Sequence, residues 1–495
     1  MPLTGAFYFR RTYNRALLRG AGTAVYASCF AMRKLSSVLA AALLSEEPRT
    51  PVRGCLFLEL FLEHAHICYN RRMQKLKIKK LRNGLSVLLI PMKDQRTATA
   101  LILVETGSKY ETKRKSGISH FLEHMCFKGT TNRPNQMVIA RELDSLGAEF
   151  NAFTGHEYTG YYAKVAASYL PKVLDLLSDI YCNSLFKQED IDQEKGAIVG
   201  EINMYEDMPM RKVSDLFMKL VYADQPAGWE IAGPKDLVTT FTREDFISYR
   251  KMHYVPNATI VVVAGNFDPT KIDKLIKDEF SDLKRNTKKS KRAVDDKQDK
   301  AKVLIDHKES DQTHLIVGVR SFPLGHKHYP TLSLMSGILG SGMSSRLFQR
   351  VRTEMGLGYY VRAANDSFTD HGVFAASAGV VNERAGEAVA AIVAEFKRLK
   401  NDLVPELELQ KAKDMFAGRL VLGLESSDEL SEFYGFQQVL TKKLATPEEL
   451  IKKMNKVTAK DIQAVAREIF VSKNLNLAMI GPLKDEAKYL KLLKL

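Results

Sequence analysis

The stretch TREDFISYRKMHYVPNATIVVVAG, residues 242–265, decides the fold because its pattern occurs twice in the chain. Thr242 and Asp245 have the spacing of a helix-capping pair, and the apolar run that ends at Gly265 is typical of a buried strand. The stretch TAKDIQAVAREIFVSKNLNLAMIG, residues 458–481, has the same landmarks 216 positions later. A helix and a strand repeated at a fixed separation predict two copies of one fold, each of about 200 residues.

The signals upstream of this stretch mix hairpins with helices. Strand-like runs are predicted at 84–92, 98–107, 148–155 and 158–165, and helical patterns at 116–127, 136–147 and 170–184. Hairpins and helices in this order predict an α+β domain rather than a doubly wound one.

The charged segment 284–302 lacks periodic apolar residues, which predicts a linker. It divides the chain into a first domain at 73–283 and a second domain at 303–495. Its basic run KRNTKKSKR (284–292) is interpreted as solvated, and a charged linker of this kind would let the two domains hinge.

The first domain contains GISHFLEHMCFKGT, residues 117–130. On a helix, positions i, i+3 and i+4 share one face, so His120, Glu123 and His124 would project together. Two imidazoles one turn apart can bind Zn²⁺, and the carboxylate beside them can take a proton from a water that the ion activates. H-x-x-E-H is the inverted form of the zinc-peptidase signature H-E-x-x-H. The plain alternative is a solvated face of an amphipathic helix.

A catalytic zinc ion usually has three protein ligands, and the sequence leaves the third one open. The downstream candidates are His156, Glu157, Glu194, Glu201, Glu206 and His253. Residues 188–208 have helical periodicity, and Glu194 and Glu201 lie seven positions apart, two turns along one face. Spacing alone does not choose between these two carboxylates.

The second copy lacks the metal motif. The 216-residue offset leads from the two histidines and the glutamate to Ser336, Leu339 and Gly340. None of these side chains offers an imidazole or a carboxylate to a metal ion. One half is therefore predicted to carry the chemistry and the other to serve another purpose.

The composition excludes several classes of protein. Its 45% hydrophobic and 26% charged residues are typical of a globular chain, and the absence of a long apolar run predicts no membrane span. The net charge of +15 is not accompanied by a zinc finger, an RNP-like motif or a basic helix, so nucleic-acid binding is not expected. The five cysteines have the spacing of neither a disulfide framework nor a thiolate zinc site.

Residues 1–72 differ from the rest of the chain and stand outside the fold prediction. No acidic residue precedes Glu46, whereas arginines are frequent before it. This composition is typical of a mitochondrial transit peptide, which would place the protein in the matrix. The interpretation favoured over this one is a mis-assigned start with translation from Met73, which predicts a cytoplasmic protein of bacterial type.

The H-x-x-E-H motif, with a glutamate 77 positions after its second histidine, resembles that of the pitrilysin/insulinase family of zinc metallopeptidases. The likeness spans roughly residues 78–490 and is greatest to the short-chain branch that contains bacterial processing peptidases and the mitochondrial processing peptidase β-subunit. The resemblance implies two homologous domains, each a mostly antiparallel sheet flanked by helices. It implies one Zn²⁺ per chain, held by His120, His124 and Glu201. Glu123 would then be the general base, with Glu194 supporting the ligands.

Two further segments carry the resemblance. NAFTGHEYTGYY (151–162) resembles an active-site edge strand, which implies that Asn151, Ala152 and Phe153 pair with the substrate backbone. GSGMSSRLFQRVRTEMGLGYYV (340–361) resembles a second-domain segment in which an arginine and a tyrosine reach the substrate. The corresponding catalytic residues here are Arg352 and Tyr359, with the tyrosine near the developing oxyanion.

The chain departs from its presequence-cleaving relatives at two positions. Those relatives carry acidic residues ten and fourteen positions after the zinc-binding glutamate, where this chain has Arg211 and Asp215. One acidic residue is thus replaced by the opposite charge, and specificity for arginine-bearing presequences is not expected.

The resemblance implies a zinc endopeptidase that cleaves peptides or unfolded proteins in an enclosed chamber. Long-chain relatives build the chamber from four such domains, whereas this chain has two. A homodimer is therefore expected, or a pair with a homologous chain. The competing functions are a non-catalytic subunit of a processing or respiratory complex and a metal-dependent hydrolase of small amides.

Overall fold

The computed structural model describes residues 76–495, so the predicted extension at 1–72 lies outside the described part of the chain. The first sheet contains β1 (Lys77–Lys80), β2 (Ser86–Pro91), β3 (Thr97–Val104), β4 (Glu149–Thr154), β5 (Thr159–Ala166) and β6 (Thr259–Gly265). Its spatial order is β1-β2-β6-β3-β5-β4, and only the β2–β6 pair is parallel. Strand β4 therefore lies at one edge of this sheet.

The second sheet contains β7 (Lys302–His307), β8 (Thr313–Ser321), β9 (Gly358–Ser367), β10 (Gly372–Val380) and β11 (Asn476–Gly481). Its order is β7-β11-β8-β10-β9, and only the β7–β11 pair is parallel. Apart from β1, each strand of the first sheet has a counterpart here in the same position and direction. The predicted α+β fold with a duplicated, mostly antiparallel sheet is confirmed.

Helices connect the strands in both halves. Those at residues 76–280, the first half, are α1 (Ile118–Met125), α2 (Gln136–Ser145), α3 (Leu170–Cys182), α4 (Gln188–Glu206), α5 (Pro209–Tyr222), α6 (Lys235–Val238), α7 (Arg243–His253) and α8 (Pro269–Phe280). Those at residues 302–495, the second half, are α9 (Tyr329–Gly340), α10 (Ala385–Asn401), α11 (Glu406–Leu422), α12 (Ser427–Thr441), α13 (Pro447–Asn455), α14 (Ala459–Ile469) and α15 (Glu486–Leu490), with a π-helix at Phe348–Glu354. None of the helices described between residues 76 and 495 combines the length and apolar character needed to cross a bilayer.

The repeated helix caps form as the sequence predicts. The backbone N–H of Thr242 donates to the Asp245 carboxylate (3.0 Å) at the start of α7. Thr458 and Asp461 make the same contact (2.8 Å) at the start of α14. Each pair satisfies N–H groups that have no partner within the helix, and this fixes where the helix before the last strand begins.

The two halves exchange one helix each. Helix α12 of the second half packs on the first sheet, where Phe433 and Phe436 join a core with Leu103. Helix α5 of the first half packs on the second sheet, where Phe217 meets Ile480. Each fully buried side chain of this size contributes roughly 1.5–3 kcal/mol, so a hinge motion that separated the halves would have to expose both clusters.

Burial on both faces explains the apolar runs that mark the central strands. Every residue of β6, TIVVVAG, is buried, because helices of the first half cover one face of the sheet and α12 covers the other. Strand β1, KIKK, lies at the edge of the sheet away from β4 and is mostly exposed. The strand patterns in the sequence thus report position within the sheet.

Residues 283–301 form no helix or strand. Lys288 of this segment pairs with Glu105, and Lys291 contacts both Glu157 (3.2 Å) and Asp370 (2.5 Å). The Lys291 side chain is only 14% exposed. The interpretation of the basic run as solvated is therefore wrong for these two lysines, because carboxylates from both halves attract them.

Candidate metal centre

Helix α1 presents the two histidines and the glutamate of the H-x-x-E-H motif on one side. The opposite side buries Phe121, Leu122 and Met125 completely in the first core. Gly117 begins the helix with φ +98°, and a Cβ there would meet the carbonyl oxygen of Ala232 at 2.5 Å. Apolar packing and a tight glycine turn therefore fix the direction in which the motif points.

Three donor groups converge between α1 and α4. The Nε2 atoms of His120 and His124 lie 3.6 and 3.5 Å from Oε2 of Glu201. One ligand atom from each residue lies within 4.8 Å of the other two. Two imidazoles and one carboxylate are the donor set of a catalytic zinc site with an open fourth position. Of the two carboxylates that spacing left open, Glu201 is the one in the cluster.

A second set of contacts orients these donors. Nδ1 of His124 lies 2.9 Å from Oε1 of Glu194, which leaves Nε2 directed at the cluster. Lys128 forms an ion pair with the other oxygen of Glu194. The hydroxyl of Tyr205 donates to Oε1 of Glu201 (2.8 Å), so Oε2 remains directed at the histidines. Contacts of this kind fix tautomers and ring orientations in metal sites.

The electrostatics of the cluster favour a cation. Burial lowers the pKa of His124, but its hydrogen bond to Glu194 and the nearby glutamates outweigh burial, so the pKa is raised. Burial raises the pKa of Glu194, but hydrogen bonds to His124 and Lys128 outweigh it, so that pKa is lowered. Anionic carboxylates thus surround the imidazoles, and a divalent cation would replace the proton that they now favour.

Glu123 lies between the histidines in sequence and points toward strand β4. The residue is 8% exposed, and its Oε2 accepts a hydrogen bond from the Thr154 hydroxyl. This contact joins the only carboxylate on α1 to the edge strand of the sheet.

The predicted substrate-binding residues lie on β4 itself. Asn151 is exposed, while Ala152 and Phe153 are 9% and 5% exposed. The Phe153 ring packs against Phe436 of α12 (centroids 5.8 Å apart). Phe153 thus offers its backbone, rather than its side chain, to anything that pairs with this edge.

Arg352 and Tyr359 lie elsewhere in the second half. Arg352 stacks over Phe348 within the π-helix (4.8 Å), and Tyr359 on β9 is 76% exposed. Both line a cleft of about 2470 Å³ whose lining includes none of the residues of the metal cluster. Within one chain, the described residues therefore do not bring these two side chains to the histidines.

The other candidate ligands, His156, Glu157, Glu206 and His253, do not belong to the cluster found among the described residues. His156 is hydrogen-bonded to Ser108 (2.8 Å), and burial together with the Lys109 charge lowers its pKa to about 4. Arg211 stacks over the ring of Tyr205 (3.8 Å), and burial and the Glu230 charge raise the pKa of Asp215 to about 6. The Tyr205 ring thus contacts Arg211 on its face and Glu201 through its hydroxyl.

Sequence reasoning missed three contributors to the site: Lys128, Thr154 and Tyr205. Lys128 and Thr154 lie inside the two quoted motifs, and Tyr205 lies one helical turn after Glu201. The turn spacing is the one signal that could have predicted the Tyr205 contact, because positions i and i+4 of a helix face each other.

Two family models match consecutive stretches of the chain. The model described as "Insulinase (Peptidase family M16)" matches residues 86–235. The model described as "Peptidase M16 inactive domain" matches residues 240–416. The match named inactive begins just before α7 of the first half and ends at residue 416 of the half without the metal motif.

Similar proteins match over nearly their full length. An uncharacterized zinc protease of Rickettsia felis is 36% identical, with 83% of this chain and 98% of the relative covered. One from Bacillus subtilis is 33% identical, with 81% and 97% covered. The crystal structure of a protease from Helicobacter pylori aligns with a TM-score of 0.78 at 25% identity, covering 83% of this chain and all of that one. A chain of Complex III2 from Candida albicans has the same fold, with a TM-score of 0.74, 16% identity, and 85% and 100% covered.

Proposed function

The chain belongs to the insulinase family of peptidases, family M16, and we propose that it is a zinc-dependent endopeptidase with one Zn²⁺ per chain. The observation that carries the proposal is the convergence of His120, His124 and Glu201, with Glu123 beside them at an open strand edge. When bound there, Zn²⁺ would polarise a water molecule and the carbonyl group of the scissile bond.

Glu123 is the proposed general base. Its carboxylate would take a proton from the water and pass it to the leaving amine. The Thr154 hydroxyl donates to one carboxylate oxygen and so helps to orient the carboxylate. Burial to 8% exposure keeps bulk water from competing for this carboxylate.

The proposed ligands depend on the contacts behind them. Glu194 would keep the His124 proton on Nδ1, so that the Nε2 lone pair faces the ion, and Lys128 would balance the Glu194 charge. Tyr205 would hold one Glu201 oxygen away from the ion. These contacts would restrict the orientation of the ligand side chains around the ion.

The substrate class follows from the strand edge beside the site. Strand β4 has one strand neighbour in the described sheet, and it ends at Thr154, next to the proposed base. An extended peptide could pair with Asn151, Ala152 and Phe153 by strand addition. Extended segments with unpaired backbone groups are most accessible in peptides and unfolded chains, so we propose these as substrates.

The proposed chamber requires a second chain. Arg352 and Tyr359 are clamp residues of the proposal, yet they line a separate cleft, and Tyr359 is exposed. A second copy, or a homologous chain, could bring such residues to the metal cluster while enclosing it. Light scattering of active protein at about micromolar concentration should give twice the chain mass; an active monomer that degrades folded proteins would exclude the chamber.

Glu123→Gln tests the proposed chemistry. We expect hydrolysis of a quenched fluorescent peptide to fall by about 10²- to 10⁴-fold, while zinc content stays near that of the unaltered chain. Glu149→Gln is the matched control, because Glu149 lies on β4 with a side chain that is 79% exposed. Loss of zinc from Glu123→Gln would make Glu123 a ligand. Unaltered protein that neither binds zinc nor cleaves peptides would favour the non-catalytic subunit.

A further inference from the structure

Glu111 is a buried carboxylate at the beginning of helix α1. It is 6% exposed, and its two oxygens accept the backbone N–H groups of Gly117 (2.8 Å) and Ser119 (2.7 Å). The first N–H groups of a helix have no partner within it, so Glu111 satisfies two of them. Ser119 is also held from its side chain, by the hydroxyl of Tyr249 (2.6 Å).

The second half has no such carboxylate. The 216-residue offset leads from Glu111 to Lys327, which is exposed. Helix α9 begins without a side-chain cap and without an acidic residue in its first turn. Helix α9 begins at Tyr329, five residues before the position that corresponds to Ile118, so the counterparts of Gly117 and Ser119 lie within that helix. The shorter helix α1, which carries the metal motif, instead has a buried carboxylate on these N–H groups.

Electrostatics gives a reason for this difference. The N-terminus of a helix carries a partial positive charge of about half an elementary charge, and the effect is concentrated in the first turn. His120 lies in the first turn of α1, two residues after Ile118. A dication bound there would be repelled by the helix end, and an anion on the same N–H groups offsets that repulsion.

We propose that Glu111 is a positioning residue for the metal site, which holds the start of α1 and makes its N-terminus tolerant of a dication at His120. The inference rests on the proposed function, because it assumes that zinc binds to the cluster. It predicts that the charge of Glu111, and not only its hydrogen bonds, contributes to zinc affinity.

Two variants distinguish the charge of the Glu111 side chain from its size. Glu111→Gln removes the charge and keeps the size, and Glu111→Asp keeps the charge and shortens the side chain. Zinc dissociation constants of the full chain are measured at about pH 8 by competition with a chromophoric chelator, and thermal unfolding is measured on the metal-free protein. We expect Glu111→Gln to weaken zinc binding about tenfold, and Glu111→Asp to stay within about threefold of the unaltered chain. Asn135→Ala is the matched control, because Asn135 caps α2 (3.1 Å to the N–H of Val138), a helix without proposed ligands. It should lower thermal stability and leave zinc affinity unchanged.

Each outcome decides the inference. Unchanged zinc affinity in Glu111→Gln, with a loss of thermal stability like that of Asn135→Ala, would make Glu111 an ordinary helix cap. If Glu111→Gln does not fold, Glu111→Asp decides, and a loss of zinc affinity above about tenfold in that charged variant would overturn the proposal. An unaltered chain that binds no zinc would overturn the proposed function instead.

Discussion

Helices α1 and α9 occupy the same place in the two copies of the fold but meet their sheets differently. Helix α1 keeps its two histidines partly exposed, with side chains that are 12% and 25% accessible. Helix α9 is buried from Thr331 to Gly340. A Cβ on Gly340, the counterpart of His124, would lie 1.9 Å from the backbone nitrogen of Ala363 on β9. The second half has closed the space in which the first half holds its imidazoles.

This difference shows what distinguishes the half that has the candidate metal site. Apart from β1, the strand order is the same in both halves, so the candidate site does not depend on another topology. It needed a helix that stands away from the edge strand, with polar side chains in the gap. Where α9 has Leu339, completely buried in the second core, α1 has the proposed base.

Gly340→His tests the comparison most severely. The backbones of α9 and β9 are already in contact at this position and leave no space for an imidazole. We therefore expect the second half to unfold, with a loss of more than about 5 kcal/mol in the free energy of unfolding. Soluble yield and far-UV circular dichroism would report it. Gly337→Ala is the control on the same helix, because its Cβ would meet nothing closer than the Met415 methyl at 3.4 Å. That variant should be neutral or slightly more stable. A folded Gly340→His protein would show that α9 can move away from β9, and the comparison would fail.

Much of the fold could be predicted because its signals are local. Both capping pairs form and both precede a buried strand, as the stretch at 242–265 predicts. The exchange of α5 and α12 could not be predicted, since an amphipathic helix does not encode which sheet it covers. The contacts of Lys288 and Lys291 are likewise long-range, and a basic run gives no sign of distant carboxylates.

The candidate site was also predictable only in the part that depends on local spacing. The i, i+3, i+4 spacing predicts that His120 and His124 share a face, and they do. The choice of Glu201 over Glu194 depends on how α4 crosses α1, a tertiary angle that spacing does not contain. The role of Glu111 depends on a turn that brings a residue back to the N–H groups of a helix that begins several positions later.

Lys109→Met tests how far the halves are independent. Lys109 is 1% exposed and pairs with Glu157 of the first half (2.9 Å) and Asp370 of the second (2.6 Å). Removing this buried cation leaves two carboxylates to share the charge of Lys291, so we expect the free energy of unfolding to fall by about 3–5 kcal/mol. Urea unfolding, followed by the fluorescence of Trp229 and by circular dichroism, measures this loss.

Two further variants sharpen the Lys109 experiment. Adding Glu157→Gln to Lys109→Met removes one uncompensated charge and should restore part of the stability. Lys113→Met removes an exposed lysine that pairs with Asp224, and a change within about 1 kcal/mol is expected. If Lys109→Met were as mild as Lys113→Met, the two carboxylates would not depend on Lys109, and Lys291, which contacts both of them, would be sufficient to compensate their charges.

The pH dependence of Glu111 gives the smallest effect, and it belongs to the first half alone. Burial raises the pKa of Glu111 from 4.5 to about 7, although two backbone N–H groups oppose the shift. Tyr249, which faces it, keeps its proton because burial raises its own pKa. Between pH 4.5 and about 7, Glu111 is protonated in the folded, metal-free chain and ionised in the unfolded chain. The folded chain therefore binds more protons in this range, and its stability falls as the pH rises from about 5 to 7. Relative to Glu111→Gln, the unaltered chain should lose about 1–3 kcal/mol across this window. Lys327→Met, at the corresponding position of the second half, should keep the unaltered profile. Urea unfolding of the metal-free proteins at a series of pH values gives the comparison, and parallel profiles for the unaltered chain and Glu111→Gln would contradict it.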